Sequence, residues 1–246
     1  MLVKKEWEDG LLLLKLNRPE RLNALHIDLV KEIRDALSES AENDDVNVII
    51  LASVAEKAFC TGVDIKYVES LTNEEAAHFF VEVAKLLEML IDFPKVTIAA
   101  VNGYAHGGGA DLALSCDIRI GGTSSSFRFP GPQFGLILGT KRLIDEIGSS
   151  RARFLTMTNE KSDAMQALDY GLLHEVTRDD EVLHRAIERG KALACLPKKT
   201  VRDLKRFTNG AALEASVEST RNSVLEGDFK QRFSAYVERI RRKNKQ

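Results

Sequence analysis

Two glycine-containing turns hold the residues of this sequence that are best suited to chemistry. The first spans residues 58–66 (AFCTGVDIK) and the second spans residues 102–112 (NGYAHGGGADL). Each turn follows an apolar run and leads towards a helix, so it presents peptide N–H groups that have no partner inside that helix. Glycine allows the backbone to approach a ligand closely. Two such amides converging on one point form an oxyanion hole, which stabilises negative charge on a reacting oxygen.

Polar side chains accompany both turns, and each has two interpretations. Asp111 is a candidate acid–base group or an ordinary acid in a first helical turn, where the dipole favours it. His106 is a candidate proton carrier, because an unperturbed imidazole titrates near neutrality, or a histidine packed under the glycines. Asp64 is suited to bond the amides of its own turn. Lys66 is suited to bind phosphate or to remain in solvent.

Nucleotide-binding loops are the main alternative for glycines 107–109. No Gly-Lys-Ser/Thr sequence follows them, which disfavours a Walker-type phosphate loop. The G-x-G-x-x-G pattern also fails, since Leu112 occupies the position of the third glycine.

Strands and helices are predicted around these turns. Residues 46–51 and 96–101, which precede the two turns, are apolar runs typical of strands buried on both faces. The spacing of apolar residues predicts a strand at 10–16 and helices at 26–38, 74–91 (capped by Asn73), 162–170 and 180–193. Helices dominate after Arg142. We therefore expect an α/β core over residues 1–190 and a helical region over residues 191–246.

Composition limits the class of protein. The 246 residues carry a formal net charge of −2, which favours neither a nucleic acid nor a membrane surface as partner. No apolar run is long enough to span a bilayer. Cys60, Cys116 and Cys195 lack metal-ligand spacing, so no metal site is expected, and a reduced, cytoplasmic setting fits them best.

Four motifs in order resemble the crotonase (enoyl-CoA hydratase/isomerase) superfamily over nearly the full chain. Residues 16–19 (LNRP) with 23–25 (NAL) are similar to its N-terminal signature, and residues 58–66 are similar to its first oxyanion loop. Residues 101–119 are similar to its second oxyanion loop. Residues 167–173 (ALDYGLL) are similar to a later turn.

The resemblance implies a spiral of ββα turns with two sheets, completed by C-terminal helices that form a homotrimer or homohexamer. It implies an acyl-CoA thioester substrate, with coenzyme A as part of the substrate and no further cofactor. The amides of Val63 and Gly108 would hold the thioester oxygen, and Asp111 would be the catalytic carboxylate. The implied substrate-binding residues are Ala24, Asp64, Ile65, Lys66, His106, Gly131 and Phe134. Of these, Ala24 would lie near the pantetheine end of coenzyme A, and the stretch from Val63 to Lys66 would run beside its adenine. Phe134 also suits the core.

The sequence departs from the family at the second carboxylate. Hydratases of this family use two glutamates that flank a water, and here the two positions hold Asp111 and Gly131. No Asp or Glu occurs between Asp117 and Asp145. A single carboxylate suits double-bond isomerisation. Hydration remains open if Gln133, Arg128 or His106 positions water. Thioester hydrolysis, decarboxylation and a non-catalytic CoA-ester binder are the further alternatives.

The late helices carry apolar side chains that either an oligomer or the chain's own core would bury. They include Leu204, Phe207, Leu213, Val217 and Val224.

Overall fold

The computed structural model describes residues 1–209, 221–222, 224–225 and 229–243. Its larger sheet has six strands in the order β1-β2-β3-β5-β7-β9, and all neighbours are parallel except β1 and β2. These strands are β1 (Val3–Glu8), β2 (Leu11–Leu16), β3 (Val48–Ser53), β5 (Val96–Val101), β7 (Ile118–Gly122) and β9 (Glu175–Thr177).

Both faces of the inner strands β2, β3 and β5 are covered, as the apolar runs predicted. Leu12 and Ile49 belong to one buried cluster, whereas their neighbours Leu13 and Ile50 belong to a second cluster on the other face. Successive side chains of a strand point to opposite faces, so a strand covered on both faces must be apolar at every position. This explains why these strands show no apolar–polar alternation.

A second, smaller sheet lies at the ends of the larger one and brings the two glycine turns together. Its three parallel strands, in the order β4-β6-β8, are β4 (Ala58–Cys60), β6 (Tyr104–His106) and β8 (Ser126–Arg128). Along the chain, β3, β5 and β7 of the larger sheet are each followed by one of these short strands. Because β4 and β6 are parallel neighbours, the turns that follow them meet at one edge.

Nine α-helices are found in the part of the chain that the structure describes. They are α1 (Ile27–Glu42), α2 (Ile65–Ser70), α3 (Asn73–Ile91), α4 (Gly108–Leu114), α5 (Thr140–Thr158), α6 (Ala164–Tyr170), α7 (Val182–Leu193), α8 (Lys198–Asn209) and α9 (Phe229–Lys243). None of the helices described is long and apolar enough to cross a lipid bilayer.

Most of the predicted elements are present, with shifted boundaries. The cap predicted at Asn73 is wrong, because Thr72 caps α3 in a capping box with Glu75, so the helix already includes Asn73. Helix α7 packs on β3, β5 and β7 and crosses residue 190, where the helical region was expected to begin. Cys60 and Cys116 are buried, and burial raises the pKa of each thiol to about 12.

The apolar residues of the late helices differ in how far they are buried. Val224 is buried, whereas Leu204 on α8 is 60% exposed. Leu213 and Val217 lie outside the described residues, as does the side chain of Phe207.

Candidate active site

The two glycine turns pack directly against each other. Gly62 has a positive φ of 89°, and a β-carbon at this position would lie 2.8 Å from the His106 carbonyl oxygen and 3.4 Å from the Gly108 nitrogen. Any side chain at position 62 would therefore separate the turns. The turns are also anchored to their surroundings: the Leu25 amide donates to the Gly62 carbonyl at 2.6 Å, and the Gly107 amide donates to the Arg128 carbonyl at 2.8 Å.

Within the described part of the chain, the amides of Val63 and Gly108 have no hydrogen-bond partner. Leu25 forms a parallel bridge with Val63 by bonding the Gly62 carbonyl and the Asp64 amide, which turns the Val63 N–H to the opposite side. Gly108 is the first residue of α4, where an N–H has no acceptor within the helix. Among the described residues, neither amide donates a hydrogen bond. Two free donors on adjoining turns are suited to bind one oxygen.

Both residues line a cavity of about 430 Å³. Apolar side chains form much of its wall, and they come from distant parts of the chain: Ile65, Phe129, Phe134, Leu136, Leu138, Leu143, Phe233 and Ile240. Its polar groups include Asp111, His106, Arg128, Thr156 and Tyr236. A mostly apolar cavity with a few converging polar groups is typical of a small-molecule site.

Asp111 lies on α4, one turn of helix beyond Gly108, and its carboxylate lines this cavity. The residue is 6% exposed, and no hydrogen bond to the carboxylate is found among the described residues. Burial raises the pKa of Asp111 well above its ordinary value. A carboxyl group with a raised pKa, next to two free amides, is suited to exchange a proton with a bound ligand.

Gly139 makes room for this carboxylate. It has a φ of 65°, and a β-carbon there would lie 2.2 Å from Oδ1 of Asp111. Glycine is therefore required at position 139 both by backbone conformation and by space.

No second carboxylate lines the cavity among the described residues. Gly131, expected at the second carboxylate position, does line it and begins a short 3₁₀ helix. A β-carbon at Gly131 would lie 3.0 Å from the Leu136 carbonyl oxygen, so a larger residue needs a small shift of that loop. The departure from the two-glutamate pattern is thus present in the three-dimensional site as well.

Phe134 serves both interpretations given to it. Its ring is buried and packs on Phe229, Phe233 and Tyr236 of α9, with ring centroids 5.0 to 6.0 Å apart. It also lines the cavity. The aromatic cluster holds the C-terminal helix against the site.

His106 lines the cavity, and its ring contacts Tyr104 and Ser126. The ring stacks on Tyr104 with centroids 5.1 Å apart, and Nε2 lies 3.1 Å from the Ser126 hydroxyl. Burial, together with the positive charges of Arg128 and Lys161, lowers the pKa of His106 to about 4. The imidazole is therefore neutral at pH 7, unlike a histidine that shuttles protons near neutrality.

The residues expected to meet coenzyme A lie mostly outside the cavity. Ile65 lines it, whereas Ala24, Asp64 and Lys66 do not. The Asp64 carboxylate is already occupied: it accepts from the amides of Lys66 and Tyr67 and forms a 2.6 Å ion pair with Arg18. The CoA-binding role of these residues stays a prediction.

Some residues that line the cavity were not predicted from the sequence, among them Thr156, Phe233, Tyr236 and Ile240. The last three recur at helical spacing on α9, which signals one shared face. The spacing alone does not show which part of the protein this face of α9 packs against.

The fold and site together define a class: an α/β protein whose paired glycine turns offer two free amides to a ligand beside a buried carboxylate. A family model for enoyl-CoA hydratase/isomerase matches residues 6–243. The chain belongs to this family of enzymes, and the resemblance drawn from its motifs is confirmed.

Individual relatives agree with this assignment. The chain is 36% identical to short-chain-enoyl-CoA hydratase of Clostridium acetobutylicum over 188 residues, which cover 74% of this chain and 71% of the relative. It is 30% identical to crotonyl-CoA hydratase of Syntrophomonas wolfei over 95% of this chain and 94% of the relative. The crystal structure of an enoyl-CoA hydratase from Bacillus anthracis matches with a TM-score of 0.82 at 28% identity, covering 97% of each chain. The expected crotonase-like α/β fold is confirmed.

Proposed function

We propose that this enzyme isomerises the double bond of enoyl-CoA thioesters, with Asp111 as its one acid–base group. The observation that carries the proposal is the cavity lining: of the described residues, it contains two free amides and a single carboxylate. One carboxylate is sufficient to take a proton from one carbon and return it to another.

Asp111 and the amides of Val63 and Gly108 account for every proton transfer and charge in this reaction. The Asp111 carboxylate removes a proton from C2 of a 3-enoyl-CoA, and the electrons of that bond move towards the thioester oxygen. The Val63 and Gly108 amides stabilise the resulting dienolate, an effect on the order of several kcal/mol. Protonated Asp111 then returns the proton to C4, which yields 2-enoyl-CoA. The cycle moves one proton, and it requires no cofactor beyond the CoA of the substrate.

Hydration is the second candidate, because the relatives include enzymes named as enoyl-CoA hydratases. Asp111 would remove a proton from water, hydroxide would add to C3, and the proton would pass to C2. In the absence of a second carboxylate, water has no acidic partner to orient it, so hydration should be the slower reaction.

Product analysis separates these reactions. The purified enzyme is incubated with a 3-enoyl-CoA or the matching 2-enoyl-CoA, and products are followed by chromatography with mass spectrometry. We expect conversion of the 3-enoyl to the 2-enoyl ester at unchanged mass, faster than addition of water to the 2-enoyl ester. Faster hydration would overturn the assignment to isomerisation. Free CoA, detected with a thiol reagent, would indicate hydrolysis, loss of carbon dioxide would indicate decarboxylation, and binding without turnover would indicate a non-catalytic binder.

Gly131→Glu is a matched variant for this assay, since it supplies a second carboxylate, which the described cavity lining does not contain. If the missing group limits hydration, the ratio of hydration to isomerisation should rise in this variant. A ratio unchanged in a folded variant would show that position 131 does not decide between the reactions.

A homotrimer or homohexamer is part of the proposal. It is supported by exposed apolar side chains on α5 and α6, among them Phe154, Met157 and Met165, and by Leu204 on α8. A cytoplasmic location is supported by Cys60, Cys116 and Cys195, all free thiols. Sedimentation analysis of the full chain tests the first, and a monomer at micromolar concentration would contradict it.

A further inference from the structure

Arg128 places a positive charge in the wall of the substrate cavity. It ends β8, next to the second glycine turn, and its side chain is half-buried. Its Nε donates to the backbone oxygen and to Oδ1 of Asn159, both at 3.0 Å. These bonds fix the side chain through Nε and leave the two terminal nitrogens of the guanidinium unbonded within the described residues. The terminal nitrogens present a fork of donors that matches a carboxylate.

No described acidic side chain neutralises this charge. Its two hydrogen-bond acceptors belong to Asn159, an uncharged residue, and Arg128 forms no ion pair in the described part of the chain. Lys161 adds a second positive charge nearby, and both cations act on His106. A charge withdrawn from water without a counter-ion is costly, so a buried or half-buried cation usually has one. Asp111, the one described carboxylate of the cavity, forms no ion pair with Arg128, so a bound ligand is the remaining source of a counter-ion.

Other polar groups accompany Arg128 in the cavity wall. The Tyr236 phenol from α9 is close enough for the charge of Arg128 to act on it, and it also lies beside Asn159. Thr156 also lines the cavity, and its hydroxyl donates to the Ala152 carbonyl, which leaves the oxygen able to accept a hydrogen bond. These side chains form a polar patch in a lining that is mostly apolar.

Arg128 also lies apart from the residues expected to meet coenzyme A. Ala24, Asp64 and Lys66 lie outside the cavity, whereas Arg128 lies within it. When the thioester oxygen is bound by the Val63 and Gly108 amides, the CoA moiety extends towards Ala24, Asp64 and Lys66. The acyl chain then fills the cavity.

We propose that the enzyme prefers acyl chains that carry a carboxylate at their far end, which pairs with the guanidinium of Arg128 and accepts a hydrogen bond from Tyr236. This inference rests on the proposed function, because it assumes that an acyl-CoA thioester occupies the cavity. It narrows the substrate class to mono-CoA thioesters of unsaturated dicarboxylic acids.

The test compares pairs of enoyl-CoA esters of equal chain length that end in a carboxylate or in a methyl group. The wild-type enzyme should show a larger kcat/KM for the carboxylate series, with one chain length preferred. Arg128→Met should lower kcat/KM for that series by roughly 10- to 100-fold, as expected for lost hydrogen bonds between charged groups. It should leave the methyl series within about threefold. Arg128→Lys, which keeps the charge but not the fork, should fall between the two.

Controls separate this inference from the proposed function. Arg153→Met removes an exposed arginine of α5 and should change neither series. Binding of saturated esters is measured by calorimetry, so the preference is tested even if neither series turns over. If methyl esters react but carboxylate esters show no advantage, the inference fails and the proposed function stands. If Arg128→Met weakens free CoA as much as the carboxylate esters, Arg128 meets CoA phosphate and the inference fails.

Discussion

The turn that contains Asp64 and the turn that contains Asp111 use the same residue type in opposite ways. Each turn follows a strand of the smaller sheet, and each aspartate is buried, with 8% and 6% of its surface exposed. Asp64 accepts from two amides of its turn and pairs with Arg18. Asp111 accepts no hydrogen bond from the described residues and faces the cavity.

The pKa values of the two carboxyls shift in opposite directions because of these partners. Burial acts against ionisation of Asp64, but hydrogen bonds from Arg18 and the Tyr67 amide, with the charge of Arg18, outweigh it and lower the pKa. Burial alone acts on Asp111 and raises its pKa. Similar solvent exposure therefore gives one carboxylate that stabilises the fold and one, more deeply desolvated, that is held ready to exchange a proton.

Asp111→Asn should produce the largest difference between the turns. Turnover should fall by about 1,000-fold, because the amide cannot accept the C2 proton. The free energy of unfolding at pH 7 should rise by about 1 kcal/mol or more, because an unpartnered buried charge is removed. Steady-state kinetics and urea unfolding measure the two effects. Asp35→Asn, an exposed aspartate of α1, is the control and should change neither. Full turnover in Asp111→Asn would remove Asp111 from the mechanism.

The pH dependence of kcat/KM should show the next largest effect. Asp111 must be ionised to act as a base, so kcat/KM should fall about tenfold per pH unit below the raised pKa of Asp111. His106, with a pKa of about 4, should add no change between pH 5 and 8. A profile that stays flat down to the ordinary pKa of an aspartate would contradict the unpartnered state of Asp111.

The same two shifts predict opposite contributions to stability. Between the unfolded and folded pKa values of Asp111, the unfolded chain releases a proton that the folded chain keeps, so stability falls as pH rises. Asp64 contributes stability above its unfolded pKa and loses it as pH falls through its lowered folded pKa. The free energies of unfolding of wild type and Asp111→Asn, measured with urea across this pH range, should differ by an amount that vanishes at low pH.

Asp64→Asn should affect turnover least and the fold most. Asparagine still caps α2 but loses the charge that pairs with Arg18, so unfolding should become easier by about 1 to 3 kcal/mol. Turnover of the folded variant should stay within about threefold, since Asp64 does not line the cavity. A large loss of kcat at full stability would show that Asp64 belongs to the chemistry, and the contrast between the turns would fail.

Local patterns predicted the large elements well and the small ones poorly. The strands at 10–16 and 96–101 were correctly predicted, because a short, continuous apolar run bounded by turn residues is typical of a buried strand. The three short strands β4, β6 and β8 were not predicted, since three residues carry no readable period. The small sheet forms by pairing of strands that are far apart along the chain, and local sequence patterns do not show such pairing.

The amino-acid sequence was sufficient to identify the family, the two glycine turns, the candidate carboxylate Asp111 and the glycine at the second carboxylate position, Gly131. These depend on residue type and local spacing, which are read along the chain. The three-dimensional arrangement was needed to show that Asp64 has partners, and that Gly139 leaves space for the Asp111 carboxylate. It was also needed to show that, among the described residues, Asp111 has no hydrogen-bond partner and Arg128, in the cavity wall, has no counter-ion. The charge state of a buried group depends on which side chains surround it, and folding brings those side chains from distant segments.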